Sequence, residues 1–129
     1  MRNRGATIII ENGRVALIKR TKPHVTYYVF PGGGIEEGET PEEAAIRETH
    51  EELGVLVRIQ RTFKVLEYNG RQHFFFADII GGKFGTGTGE EYSHTSVQRG
   101  KYEPIWIDIK ELSSLDVRPK VIVDNLLAE

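Results

Sequence analysis

The 129-residue chain contains no cysteine. That excludes disulfides, thiolate metal sites and cysteine nucleophiles, and it fits a reducing compartment. No apolar run approaches the ~20 residues of a membrane-spanning helix. The basic start, Met1-Arg2-Asn3-Arg4, leads into an apolar stretch too short for a secretory signal, so a cytoplasmic protein is expected. An excess of one charge is also missing: 17 Lys and Arg stand against 19 Asp and Glu, a net charge of −2. A chain without positive excess has no electrostatic grip on an anionic membrane or a nucleic-acid backbone, and neither is expected as a stable partner. The histidines, His24, His50, His73 and His94, have no spaced partners, which leaves no zinc site and no Ser/His/Asp triad. The length suits one domain over residues 1–129 with its own core.

Carboxylates and glycines are plentiful, and they concentrate between Gly32 and Val55. Thr40, Pro41 and Glu43 form a helix start, with Thr40 as N-cap, Pro41 in the first turn and Glu43 completing a capping box. Gly54 supplies the stop, because glycine enters the left-handed conformation without a Cβ penalty. The spacing predicts a helix over Pro41–Leu53. Ala45, Ile46, Thr49 and Leu53 share its packing side, whereas Glu48, Glu51 and Glu52 converge on another. Like charges within one turn repel, and Arg47 cannot neutralise all three. The helix alone admits two readings, a solvated acidic face or a cluster holding a hard divalent ion. Gly32, Gly33 and Gly34 in front of it favour the second, since they let backbone amides and carbonyls approach a ligand.

Gly33, Glu39, Arg47, Glu48, Glu51, Glu52 and Gly54 together match G-x5-E-x7-R-E-U-x-E-E-x-G-U, where U is bulky and apolar. By chance such a match is on the order of 10⁻⁸ per start position. On these residues the chain resembles the Nudix hydrolase family. One departure is Thr49, which fills the first U position on the packing side; Val55 fills the last. The resemblance implies a mixed sheet between helices, an α/β/α sandwich of the α+β type. It implies hydrolysis of a diphosphate linked to another group, usually a nucleoside, with Mg2+ or Mn2+ held by Glu48, Glu51, Glu52 and the Gly32 carbonyl. Arg47 is expected to tie Glu39 and the loop to the helix.

The flanking chain fits that plan. Asn12-Gly13 and Asn69-Gly70 are hairpin signals, the first between Ala6–Ile10 and Val15–Ile18, the second between Leu56–Tyr68 and Arg71–Ile80. Lys19 and Arg20 end an early strand, as a solvated strand end or as a grip on substrate phosphate. Tyr27 and Tyr28 face opposite sides of the strand before Pro31. Tyr28 stands where the family often has Trp and is the candidate for substrate contact, with backbone contacts from Gly33 and Gly34. The Gly-rich run from Gly81 to Gly89 is expected to be mobile. The two acids after it, Glu90 and Glu91, are candidates for the general base or an added metal ligand. Trp106 is expected in the core, Asp108 as the cap of a short helix, and Pro119 at the start of a last one.

Two rivals come from other classes. A regulatory nucleotide-binding module on the same scaffold usually loses box carboxylates, and here each is present. A purely structural acidic helix does not explain the glycines. The group attached to the diphosphate is chosen outside the box, so the substrate is expected only as a small nucleoside diphosphate derivative. A homodimer is left open.

Overall fold

The computed structural model describes residues 2–88 and 100–129. In chain order the elements are β1 (Arg4–Ile8), β2 (Ile10–Glu11), β3 (Arg14–Lys22), β4 (Val25–Val29), β5 (Gly32–Gly34), α1 (Pro41–Leu53), β6 (Val55–Glu67), β7 (Arg71–Gly82), β8 (Lys101–Asp108), a 3-10 helix (Ile109–Ser114), β9 (Val117–Arg118) and α2 (Lys120–Leu127). One sheet runs β5-β1-β7-β6, with β1 parallel to β7 and the other pairs antiparallel. The second runs β2-β3-β4-β9, with β8 also paired to β3.

The local chemistry explains the elements. Both Asn-Gly pairs turn with positive φ, 53° and 75° at Asn12-Gly13 and 51° and 101° at Asn69-Gly70, as two-residue hairpin turns require. α1 opens with the expected capping box: the Glu43 amide donates to Thr40 Oγ1 at 3.0 Å, and the Thr40 amide donates to Glu43 Oε1 at 2.9 Å. It closes at Gly54, whose φ is 82°.

Strand β3 sets the layers. Val15, Ala16, Leu17 and Ile18 are all buried, and alternate side chains leave opposite faces. Val15 and Leu17 join the core that contains Phe30, Phe74, Ile122 and Val123 of α2. Ala16 and Ile18 join a second core with Leu53, Val55 and Val57, against which Ile46 of α1 packs. The sheets therefore lie between the two helices, as an α/β/α arrangement requires. Burying each of these branched side chains stabilises the fold by roughly 1.5–3 kcal/mol.

Thr49 is fully buried, and its Oγ1 lies 2.8 Å from Oγ1 of Thr7 on β1. A hydroxyl in place of an aliphatic side chain is accommodated because it shares a hydrogen bond with the Thr7 hydroxyl.

The expectation of a mobile segment from Gly81 needs correction over its described part. Gly81 and Gly82 complete β7, Phe84 stacks on Trp106 with ring centroids 4.9 Å apart, and the Gly85 amide donates to the Leu53 carbonyl at 2.8 Å. The last turn of a helix leaves carbonyls without intrahelical partners, and this segment supplies donors to them. Glu90 and Glu91 lie outside the described residues.

Candidate active site

A cleft of about 350 Å³ opens between the sheets. One wall comes from the first sheet and its helix: Gly32, Gly33 and Gly34 of β5, with Glu48 and Glu52 of α1. The other wall comes from the second sheet, with Arg20, Tyr27 and Tyr102. These three are register neighbours across β4, β3 and β8. The Arg20 guanidinium lies 3.7 Å from the Tyr102 ring centroid and 5.6 Å from that of Tyr27. Contact with the two ring faces restricts the plane of the guanidinium within the cleft wall.

Glycines let helix and strand meet. A Cβ on Gly33 would fall 2.3 Å from the Glu48 carboxyl carbon, so no other residue fits there unless Glu48 moves. Glu52 is buried, and its Oε1 accepts the Gly32 amide at 2.8 Å. That bond fixes the Gly32 peptide relative to α1.

Arg47 organises the acids. Its Nε and Nη2 donate to the two oxygens of Glu39 at 2.7 and 3.1 Å, and Nη2 also donates to the Gly34 carbonyl at 3.0 Å. Nη1 donates to Glu48 at 2.8 Å and to Glu51 at 3.3 Å, and Glu36 approaches Nε at 3.3 Å. The hydrogen bonds from Arg47, with one from the Glu36 amide, hold the Glu39 carboxyl down to about 2. Glu39 in turn is the main cause of an Arg47 pKa above its usual range. The loop is thus bound to the helix by a guanidinium, as its sequence position suggested.

The cleft brings together Glu48, Glu52, Gly32, Gly33, Gly34 and Arg20 of the expected residues. Glu51 is turned toward Arg47 and more exposed, and it does not line the cleft. Lys19 and Tyr28 pair with each other across β3 and β4 and do not line it either. Tyr28 packs against the larger core instead. Strand alternation gives the cleft Tyr27, the neighbour on the opposite face. Arg4 and Tyr102 also line the cleft but were not singled out in the sequence; the only hint for Arg4 was the basic start.

Among the described residues no three acids or histidines are gathered closely enough to hold a metal ion by themselves. The donors nevertheless suit Mg2+ or Mn2+. They are all oxygens, and Mg2+ usually takes one or two protein carboxylates and completes its shell with water and substrate phosphate. Glu48, Glu52 and the Gly32 carbonyl meet that requirement.

A second cavity of about 380 Å³ adjoins the cleft and shares Arg4, Val29 and Phe30 with it. Its remaining lining includes Phe74, Gln72, His73, Arg118 and Pro119. Burial lowers the pKa of His73. Arg118 is held by Asp116 through bonds of 3.1 and 2.9 Å.

Comparison with known proteins gives concordant matches. The NUDIX domain model matches residues 1–123. An ADP-ribose pyrophosphatase of Methanocaldococcus jannaschii is 35% identical over 88 residues, covering 62% of this chain and 52% of that protein. An 8-oxo-dGTP diphosphatase of Escherichia coli is 54% identical over 39 residues, 30% of each chain. This chain therefore spans about half or less of the length of these curated relatives. A NUDIX hydrolase structure from Nitrosomonas europaea superposes with a TM-score of 0.75 at 18% identity, over 97% of this chain and 85% of that one. This last match is a likeness of fold.

Proposed function

The chain belongs to the NUDIX family, and from that premise we propose that it is a metal-dependent hydrolase. Its reaction is cleavage of the pyrophosphate bond of a nucleoside diphosphate linked to another group. The observation that carries this reading is the facing of Glu48 and Glu52 against Gly32, Gly33 and Gly34 in a cleft whose opposite wall presents Arg20. Acids on one side and a cation on the other suit a diphosphate together with the divalent ion that would neutralise it.

Glu48, Glu52 and the Gly32 carbonyl would hold Mg2+ or Mn2+, and Glu51, one helical turn from Glu48, is the further carboxylate available to the set. A divalent ion bound there neutralises phosphate charge and lowers the pKa of an attacking water. Arg47 keeps Glu48 and the glycine strand in place. Arg20 pairs with phosphate oxygens, and Gly33 and Gly34 line the space for the diphosphate, the Gly33 amide itself being turned to β1 opposite Gly5. Glu90 and Glu91 are the candidates to accept the proton of the water. The adjoining cavity, walled by Phe30 and Phe74, receives the organic group joined to the diphosphate.

The test is hydrolysis of a panel that includes ADP-ribose, 8-oxo-dGTP and dinucleoside polyphosphates, with Mg2+, Mn2+ or chelator, in wild type and Glu52→Gln. The glutamine oxygen can still accept from the Gly32 amide, so this change removes charge while retaining that bond. Expected are metal-dependent cleavage by wild type, little by the variant, and a metal-induced rise in Tm that is smaller in the variant. Equal metal-induced shifts, or cleavage insensitive to chelator, would refute the assignment.

A further inference from the structure

Arg4, the first residue of β1, lines both cavities. Cross-strand register places it opposite Gly34 on one side and Gln72 on the other. Among the described residues only Val29 and Phe30 share this position between the cavities, and both are apolar. Arg4 is therefore the charged group at the passage from cleft to side cavity. Of the other arginines, Arg47 is engaged by carboxylates and Arg118 by Asp116 and by the Tyr27 ring 4.0 Å away, while Arg20 lies on the opposite wall of the cleft and lines that cavity alone. Among the described residues no carboxylate forms an ion pair with Arg4.

The hydrogen bond that Arg4 does make bears on the site. Its Nη2 donates to the Gly32 carbonyl at 3.5 Å. This bond is at the long limit for its type and is weak, so it costs little to leave. Its acceptor is the carbonyl that the functional reading gives to the metal, so a guanidinium beside it opposes a second cation.

We propose that Arg4 is a substrate-binding residue that trades the Gly32 carbonyl for the phosphate joining the diphosphate to its organic group. The inference rests on the hydrolase reading. A substrate with its diphosphate between Glu48, Glu52 and Arg20, and its organic group beside Phe74, must pass the wall that Arg4 shares. The atoms at that crossing are those of the ester phosphate. A planar guanidinium offers such a phosphate two parallel donors, which an ammonium does not. Arg4 therefore acts with opposite sign on the two ligands, weakening metal binding alone and strengthening substrate binding.

That opposition is the test. KM and kcat are measured on the panel compound that wild type cleaves fastest, and Mn2+ affinity without substrate is measured by calorimetry, for wild type, Arg4→Ala and Arg4→Lys. For Arg4→Ala, KM should rise about 10- to 100-fold, the worth of a charge-assisted hydrogen bond, with the larger part of the loss in KM. Mn2+ alone should bind about two- to fivefold more tightly, as expected for one unit charge removed nearby in a solvated site. Arg4→Lys should recover part of the KM. A KM within about threefold of wild type overturns the inference. So does weaker Mn2+ binding, which would make Arg4 a support of the glycine strand. Wild type that cleaves no panel compound, or cleaves it without metal, instead brings down the hydrolase reading and this inference with it.

Discussion

The buried hydroxyl pair beneath α1 yields the sharpest quantitative prediction. Thr7 and Thr49 are both fully buried, 42 residues apart in sequence, with oxygens 2.8 Å apart. Valine has the shape of threonine without the hydroxyl. Thr7→Val or Thr49→Val alone strands a dry hydroxyl and should cost about 1–3 kcal/mol. In a chain of this size each kcal/mol lowers Tm by about 3–5 °C. The double Val variant leaves no polar atom unsatisfied and should lie close to wild type, because replacing both partners by apolar groups of the same shape is nearly neutral. The coupling energy then equals almost the whole sum of the single losses, with restoring sign. The assay is urea unfolding of the four proteins followed by Trp106 fluorescence, with a common slope taken as evidence of one unfolding transition. A double variant as unstable as the two singles added together would refute the reasoning and show that each hydroxyl is satisfied elsewhere.

Two further predictions concern the loop network. Arg47→Ala should reduce kcat more than about tenfold while circular dichroism keeps the native signature, and Arg47→Lys should not restore it, since an ammonium cannot serve Glu39 and Gly34 together; unchanged kcat would reduce Arg47 to a surface charge. Glu39, held to about 2 against an ordinary 4.5, contributes stability that is fully present above about pH 4.5 and is lost as the pH falls toward 2. The Tm gap between wild type and Glu39→Gln should accordingly be constant above that window and close within it, and a gap that persists through acid would contradict the pairing.

What could be read from the sequence was mostly local. The bounds of α1 follow from Thr40, Pro41, Glu43 and Gly54, all within reach of the backbone groups they satisfy. The Glu39–Arg47 pair, eight positions apart across the start of α1, was expected with the family resemblance. Non-local register was not. Period two separates Tyr27 from Tyr28 but does not say which side meets the cleft; that depends on β3 and β9 pairing with β4. Strand β3 runs on through Lys19-Arg20-Thr21-Lys22 because β4 and β8 flank it, although those residues read as a solvated end. Thr7 gives no local sign that Thr49 will need it. The Gly-rich run looks flexible by composition, and the Leu53 carbonyl at the end of α1 together with the Phe84–Trp106 stack explains why its described part is docked.

The cleft draws its two walls from different sheets. Glu48, Glu52 and the glycine strand belong with β1, whereas Tyr27, Arg20 and Tyr102 form a rung across β4, β3 and β8. Each wall is therefore held in place by its own backbone pairing, the glycine strand by β1 and the rung by the register of β3 with β4 and β8. The width and lining of the cleft can consequently change on one side at a time, because the architecture has assigned its walls to separate sheets.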